Sequence, residues 1–307
     1  MDVNHALPLL GGLSPDQFMR RHWQRKPLLV RQAVGPDAAP LDRRALFRLA
    51  ARDEVRSRLV VRKASPRPAG PAPDWSLRQG PFRRLPPLRQ PAWTLLVQGV
   101  DGHIEAARRL LDAFRFVPDA RLDDLMISFA TDGGGVGPHF DSYDVFLLQV
   151  QGRRLWRIGR QKDMTLQPDM PLKILQQFEP EQEFLLDAGD MLYLPPRYAH
   201  DGIAVGDCMT CSIGFRSPDR GHLARELLQR LGDDAADALG GDVYRDPGQP
   251  AVAEPARIPN DLLAFAQDSV RRALAQPDVL RRALGEWLTE PQPDVWFDGG
   301  RAVSHPV

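Results

Sequence analysis

Two histidines and an aspartate have the spacing best suited to chemistry in this chain. His139 and Asp141 end the stretch Gly133-Gly134-Gly135-Val136-Gly137-Pro138-His139-Phe140-Asp141, and His200 ends Gly189-Asp190-Met191-Leu192-Tyr193-Leu194-Pro195-Pro196-Arg197-Tyr198-Ala199-His200. In extended backbone, residues i and i+2 point to the same side, so an imidazole and a carboxylate two positions apart reach one point. The second stretch reads as a strand broken by a double proline, and its terminal histidine, 61 positions after His139, supplies a third ligand. Two neutral imidazoles and one carboxylate on a triangular face, with the opposite positions open, form the facial triad of non-haem iron(II) oxygenases. A lone His-x-Asp pair also reads as a structural hydrogen bond at a strand edge. The glycine-rich approach and the distal Gly-Asp-x4-Pro-x4-His favour iron.

Dioxygen activation at such a centre needs an electron source, and 2-oxoglutarate, which chelates iron through its keto acid end, is a common one. Its far carboxylate requires a cation. Arg154 lies fifteen residues after His139, on what reads as the next strand of a hairpin around Gln151-Gly152-Arg153. A guanidinium there can take a carboxylate in bidentate fashion. The plainer reading of a hairpin arginine is a surface charge, which is the expectation for Arg153 and Arg157. Tyr143, on the face of His139 and Asp141, and Ser128, on the preceding strand, are further candidates to line the cosubstrate pocket.

The elements that must position these residues are short strands. Ser57 to Arg62, Trp93 to Val100, Asp124 to Ala130, Val145 to Val150, Arg154 to Ile158, Glu183 to Leu186, Met191 to Leu194 and Ile203 to Phe215 all read as strands. Asp187-Ala188-Gly189-Asp190 has the length of a second hairpin turn. Many short strands with turn signals between them predict an antiparallel barrel or jelly roll. Ahead of them, Ser14 with Pro15 opens a helix to about His22, Leu41 to Ala50 forms another, and Ile104 to Phe114 a third. Beyond Ser217-Pro218-Asp219 the pattern turns helical. One stripe carries Leu223, Leu227 and Leu231; a second helix, Asp261 to Leu274, carries Leu262, Ala266, Val270 and Leu274; a third runs from Asp278 to Leu288. Gly240 to Pro259 reads as a linker. These stripes need covering by the barrel or by a second subunit.

At 307 residues, one large and one small domain are expected, with 1–216 as the barrel unit and 217–307 as the helical one. Forty basic residues balance forty acidic ones, so no global field draws the chain to nucleic acid or membrane. The N-terminus lacks the basic flank and apolar run of a signal peptide, and no stretch approaches about 18 consecutive apolar residues. A cytoplasmic protein is expected. Charge is uneven in one place: from Arg52 to Pro91 ten basic residues face three acidic ones, a net of +7, and eight prolines lie between Ala64 and Pro91. That stretch reads as an extended surface loop, either solvated or contacting a polyanion, and it is the one place where nucleic acid contact is expected. Cys208 and Cys211 have C-x-x-C spacing but no second pair to complete a zinc site, and odd spacing on a strand sends them to opposite faces. They are expected to be core thiols.

The chain resembles the bacterial ribosomal oxygenases of the Jumonji-C type, the ribosomal-protein arginine hydroxylases of the cupin superfamily. The resemblance is carried by Trp23-Gln24-Arg25-Lys26-Pro27, Trp93-Thr94-Leu95-Leu96-Val97-Gln98-Gly99-Val100, Gly135-Val136-Gly137-Pro138-His139-Phe140-Asp141-Ser142-Tyr143-Asp144-Val145-Phe146, Gly152-Arg153-Arg154-Leu155-Trp156-Arg157 and Gly189 to Pro196. It implies a mainly β fold with added helices: a double-stranded β-helix, or jelly-roll JmjC domain, followed by a helical region that forms a homodimer. It implies Fe(II) on His139, Asp141 and His200, 2-oxoglutarate on Arg154, dioxygen as second cosubstrate, and C3 hydroxylation of an arginine in a large-subunit ribosomal protein. A winged helix is also implied, yet only about twenty residues follow Leu288, so that domain is expected to be absent or truncated. A basic substrate should find acids at the mouth, and Asp132 and Asp144, which flank the triad, are the candidates. A histidine hydroxylase, an RNA-modifying oxygenase and a non-catalytic metal-binding cupin are the alternatives.

Overall fold

The computed structural model describes residues 2–35, 37–63, 74–275, 278–290, 296–298 and 301–303. The chain divides into two compact units, one of Met1–Ser217 with the described residues of Gln292–Val307, the other of Pro218–Pro291.

In the first unit, helix α1 (Pro15–Arg21) begins with a capping box: the Ser14 hydroxyl accepts from the Gln17 N–H while the Gln17 side chain accepts from the Ser14 N–H. The Asp42 carboxylate caps α2 (Arg43–Ala50) by accepting from the Ala45 N–H at 2.7 Å, and α3 (Glu105–Asp112) follows. Strands β1 (Leu28–Val30), β2 (Ser57–Lys63), β3 (Asp74–Gln79), β4 (Trp93–Val97), β5 (Leu122–Ala130), β6 (Val145–Gly159), β7 (Gln182–Leu186), β8 (Met191–Leu194) and β9 (Ala199–Phe215) form a single sheet in the order β1-β8-β6-β9-β5-β4-β2-β3, with β7 added on β6. Every pairing is antiparallel. The mainly antiparallel architecture expected from the strand pattern is therefore present. A two-stranded hairpin of β10 (Trp296–Asp298) and β11 (Arg301–Val303) stands apart from this sheet.

Alternation along the strands sorts the chemistry. Leu95 and Val97, Leu125, Ile127 and Phe129, Phe146 and Leu148, and Met209, Cys211, Ile213 and Phe215 share one face, where Phe18, Leu46 and Phe114 of the helical segments pack on them. The intervening positions hold Thr94, Ser128, Gln149 and Thr210, buried on the opposite face. They are linked there: Thr210 Oγ1 donates to Gln149 Oε1 at 2.8 Å and Thr94 Oγ1 to the Gly135 carbonyl at 3.2 Å. The apolar face builds the core, and the polar one is left for the site. Cys208 packs with Ala130 and Ala204 while Cys211 lies in the main core, so the two free thiols do face opposite ways.

Three local expectations are corrected. Gln151-Gly152-Arg153 is not a hairpin turn, because β6 runs through it for 15 residues and both its halves pair with β9. The register shifts at Gln149, Gln151 and Arg153, so the glycine marks a bulge. Gly152 has φ +63°, and a Cβ there would stand 2.2 Å from the Asp207 carbonyl oxygen. Nor do β7 and β8 form a hairpin: β7 pairs with Arg154 to Ile158 of β6 and β8 with Val145 to Leu148. Asp187 to Asp190 is a crossover between the two ends of one long strand. Finally, β3 occupies part of the proline-rich stretch, paired to β2 and anchored by buried Trp75 and Phe82. Residues 64–73 of that stretch lie outside the described residues.

The second unit holds α4 (Arg220–Leu239), α5 (Asn260–Ala275) and α6 (Val279–Thr289). Leu231 packs with Val279 and Ala283 of α6, and Leu227 joins them. Leu227 and Leu231 of the α4 stripe are thus covered inside their own unit. On α5, Leu262, Val270 and Leu274 remain exposed.

Candidate metal centre and cosubstrate pocket

The Gly133–Gly137 run brings a loop against two strands. A Cβ on Gly134 would lie 2.6 Å from the Trp93 carbonyl oxygen, and one on Gly135 would lie 2.6 Å from that of Gly202. Glycine is required here for close approach. Backbone bonds lace the loop to β9, with Ala204 N–H donating to the Gly134 carbonyl at 2.9 Å. The lacing ends at His139 and His200, which form an isolated bridge with reciprocal N–H···O bonds of 3.0 and 2.8 Å. Their rings lie 4.2 Å apart. Asp141 is set by a separate contact. The double proline ends β8, Arg197 adopts φ +63°, and its N–H donates to the Asp141 carbonyl at 2.7 Å. His200 Nε2 is 3.7 Å from Asp141 Oδ2, and ligand atoms of all three residues lie within 4.8 Å of one another.

Each imidazole is oriented by the backbone two residues before it. His139 Nδ1 is 2.9 Å from the Gly137 carbonyl, and His200 Nδ1 is 3.0 Å from that of Tyr198. A carbonyl only accepts, so Nδ1 carries the proton and Nε2 presents its lone pair. Burial, with the neighbouring His139 adding to it, pushes His200 down to about 4, so the ring is neutral and ligand-competent at neutral pH. Two such nitrogens and one carboxylate fit a divalent iron and leave open the positions opposite them.

Arg154 follows on the same strand face as Trp156 and Ile158, and Ile158 pairs with His200. It is 5 % exposed, and its Nε and Nη2 are buried without a hydrogen-bond partner. A guanidinium edge enclosed in that way calls for an anion. Arg157, on the other strand face, gives its Nη2 to Asp201 and keeps only Nε buried without a partner, and Arg153 is exposed. Ser128 is buried, its hydroxyl 3.5 Å from the Thr210 carbonyl. Tyr143 is 39 % exposed as a residue, yet its hydroxyl lies against Asp141; enclosure and that carboxylate raise the phenol well above its ordinary value.

The two acids expected at the mouth are elsewhere. Asp144 is fully buried on the core side of β6, where it accepts from Tyr193 Oη at 2.6 Å and Gln24 Nε2 at 3.0 Å and lies 3.5 Å from Arg121 Nη2. It is a structural acceptor, with no surface left for substrate. Asp132 is exposed and caps the Gly206 N–H at 2.8 Å. Gly206 lies six strand positions beyond His200, roughly 20 Å at about 3.3 Å per residue. The acid the sequence reading missed is Asp124. It accepts from the Gly99 N–H at 2.8 Å, interacts electrostatically with Tyr143, and is half-buried. Enclosure, with Asp123 and Asp101 adding repulsion against Gly99 and Arg56, raises it to about 6. Its even-numbered place before Met126 and Ser128 was the available signal.

In the basic stretch, Arg52 pairs with Glu54 and Arg83 with Asp53, Arg62 lies over the Trp75 ring and Arg78 over Phe82, and Arg58 Nε is buried without a hydrogen-bond partner.

An antiparallel barrel with two histidines and an aspartate at one point, and a buried unpartnered arginine farther along the same face, defines a cupin-type oxygenase of the JmjC class. The comparisons with known proteins agree. Residues 109–223 match the model of the JmjC domain. The chain is 36 % identical over 283 residues to the ribosomal protein uL16 3-hydroxylase of Escherichia coli K12, covering 92 % of this chain and 72 % of that one. It is 33 % identical over 222 residues to a probable ribosomal oxygenase of Haemophilus influenzae, covering 69 % of this chain and 52 % of the relative. The solved structure of YcfD, a ribosomal oxygenase from Escherichia coli in complex with cobalt and 2-oxoglutarate, superposes with a TM-score of 0.73 at 35 % identity, covering 93 % and 73 % of the two chains. The chain belongs to the JmjC-domain ribosomal oxygenases and is an enzyme, a 2-oxoglutarate-dependent dioxygenase. Among the described residues no helix is long and apolar enough to cross a membrane.

Proposed function

We propose that this protein hydroxylates C3 of an arginine side chain in a large-subunit ribosomal protein in the cytoplasm, with Fe(II) as its metal and 2-oxoglutarate and dioxygen as cosubstrates. The observation that carries this reading is the pairing of a neutral-imidazole triad with the buried, unpartnered Arg154. His139, Asp141 and His200 would hold the iron(II), which would supply dioxygen activation coupled to decarboxylation of 2-oxoglutarate. The chain's own residues do the positioning. Arg154 takes the distal carboxylate of the cosubstrate, Ser128 and Tyr143 wall its pocket, and the enclosed face keeps water away. A basic substrate side chain is gripped by Asp124, in the role expected of Asp132 and Asp144. Mass spectrometry of ribosomal proteins from cells with and without this protein tests the reading. A shift of about +16 Da on one arginine, lost in its absence, is the expected result; a shift on histidine would transfer the assignment to that residue.

The Asp124 role predicts a pH dependence. With the carboxyl raised to about 6, the ionised form that pairs with a guanidinium is depleted as pH falls below that value, whereas arginine stays charged throughout. KM for a substrate peptide should therefore rise about tenfold per pH unit below 6, with 2-oxoglutarate binding little changed. Asp124→Asn should raise KM at neutral pH and flatten the profile. An unaltered profile in that variant assigns the grip to another group.

We also propose that the helical unit forms a homodimer. Support comes from α5, where Leu262, Val270 and Leu274 are exposed along one helix, with Leu263 and Phe265 beside them. Since Leu227 packs on α6, a charge there would strike the unit's own core; Val270→Asp with Leu274→Asp is the cleaner test. Light scattering should give twice the chain mass for the natural protein and the single mass for the variant. A monomeric natural protein at micromolar concentration removes the dimer.

A further inference from the structure

Arg154 is not alone in its enclosure. Trp156, two positions on and on the same strand face, is also 5 % exposed, and its indole Nε1 is buried without a hydrogen-bond partner. Three N–H groups of two side chains on one strand face thus stand buried and unpaired, at Arg154 Nε, Arg154 Nη2 and Trp156 Nε1. The Arg154 guanidinium carbon is 5.8 Å from the Trp156 ring centroid, and the His200 ring is 5.8 Å from it. The indole therefore bridges the stretch between anion anchor and metal ligand.

The local packing explains why no strand carbonyl satisfies the indole. Gly202, the β9 partner of Trp156, lacks a Cβ; one built there would lie 2.6 to 2.9 Å from Cη2, Cζ3 and Cε3. The benzo edge is pressed onto the glycine. The pyrrole edge, which bears Nε1, is thereby turned away from the β9 backbone and its acceptors. Meanwhile the two free nitrogens of Arg154 are the Nε and Nη2 pair, the edge that binds a carboxylate side-on through two parallel hydrogen bonds. A carboxylate so held retains unused lone pairs, about four sites in all against two donors. An uncharged third donor matches that remainder without adding charge.

We propose that Trp156 is a cosubstrate-binding residue whose indole N–H donates a third hydrogen bond to the distal carboxylate of 2-oxoglutarate anchored by Arg154. This rests on the reading of 2-oxoglutarate as cosubstrate. Its consequence is orientational: two donors from one arginine allow the carboxylate to pivot about the guanidinium edge, and a third from a rigid ring fixed between Gly202 and Arg154 removes that freedom. The cosubstrate's keto acid end is then delivered toward the face of His139, Asp141 and His200.

The test uses the full chain loaded with zinc, which is diamagnetic, and records indole N–H resonances by nitrogen-15 correlation spectroscopy. The chain has six tryptophans, and Trp156→Phe identifies the resonance of interest by its disappearance. Adding 2-oxoglutarate to the natural protein should move that resonance downfield, as a new acceptor demands. By calorimetric titration, Trp156→Phe should bind 2-oxoglutarate about five- to tenfold more weakly, and its KM should rise with little change in kcat at saturation. If the natural protein binds 2-oxoglutarate while the Trp156 resonance stays in place and Trp156→Phe binds with unchanged affinity, the inference is overturned and the cosubstrate reading stands. If the natural protein binds no 2-oxoglutarate, both fall together.

Discussion

Replacing Asp141 with alanine should abolish both iron binding and 2-oxoglutarate decarboxylation, and His139→Ala should do the same, while either variant stays folded. Asp141 is the anionic member of the set, and its carboxylate lies 3.7 Å from His200 Nε2. Without it, two neutral imidazoles remain, too weak a set to hold a divalent iron against water. The fold should survive because the triad draws little on the core. The carboxylate is 22 % exposed, and the contact that fixes its loop, from the Arg197 N–H to the Asp141 carbonyl, is made by backbone that alanine retains. His139 likewise keeps its bridge to His200 through main-chain atoms. A surface-like truncation of this kind costs within about 0.5 kcal/mol. The measurements are metal content after anaerobic loading, decarboxylation rate and thermal midpoint. Iron binding or turnover at the natural level in Asp141→Ala would end the assignment of the metal site.

Arg154→Ala should raise KM for 2-oxoglutarate by two orders of magnitude or more and leave metal content unchanged. Truncating one partner of a buried, hydrogen-bonded charge pair costs roughly 2 to 5 kcal/mol, which corresponds to about thirty- to several thousandfold. The upper part of that range applies here because Arg154 is 5 % exposed and no other group satisfies its Nε and Nη2 edge. Water cannot readily replace the guanidinium in a site so closed. Arg154→Lys separates charge from geometry. A lysine retains a cation but not the fork, so its loss should be intermediate. If titrated 2-oxoglutarate affinity is unchanged in Arg154→Ala, the anchor lies at another residue. Stability should change in the opposite sense or not at all, since removing an unpaired buried charge relieves the apo fold.

What the sequence determined by itself was whatever a local pattern encodes. The His-x-Asp pair, the distal histidine after a double proline, the Ser14 helix cap and the strand alternation that sends Cys208 and Cys211 to opposite faces are all legible within a few residues. They stay legible because side-chain direction has a period of two in a strand and 3.6 in a helix whatever the partner. Tertiary structure decided the matters of partnership. Gly152 carries the same local signal in a hairpin as in a bulge, and only the long pairing of β6 with β9 makes it a bulge. Asp144, adjacent in sequence to the triad, is claimed by Tyr193, Gln24 and Arg121, 49, 120 and 23 positions away in the chain. Asp124 gains its raised pKa from enclosure and from neighbouring charges that no window around it shows as a pocket. Leu227 and Val270 look alike as members of apolar stripes, yet α6 covers the first and leaves the second exposed. Burial and pairing are properties of which distant segments meet, and a one-dimensional pattern states which face is offered without stating what arrives to cover it.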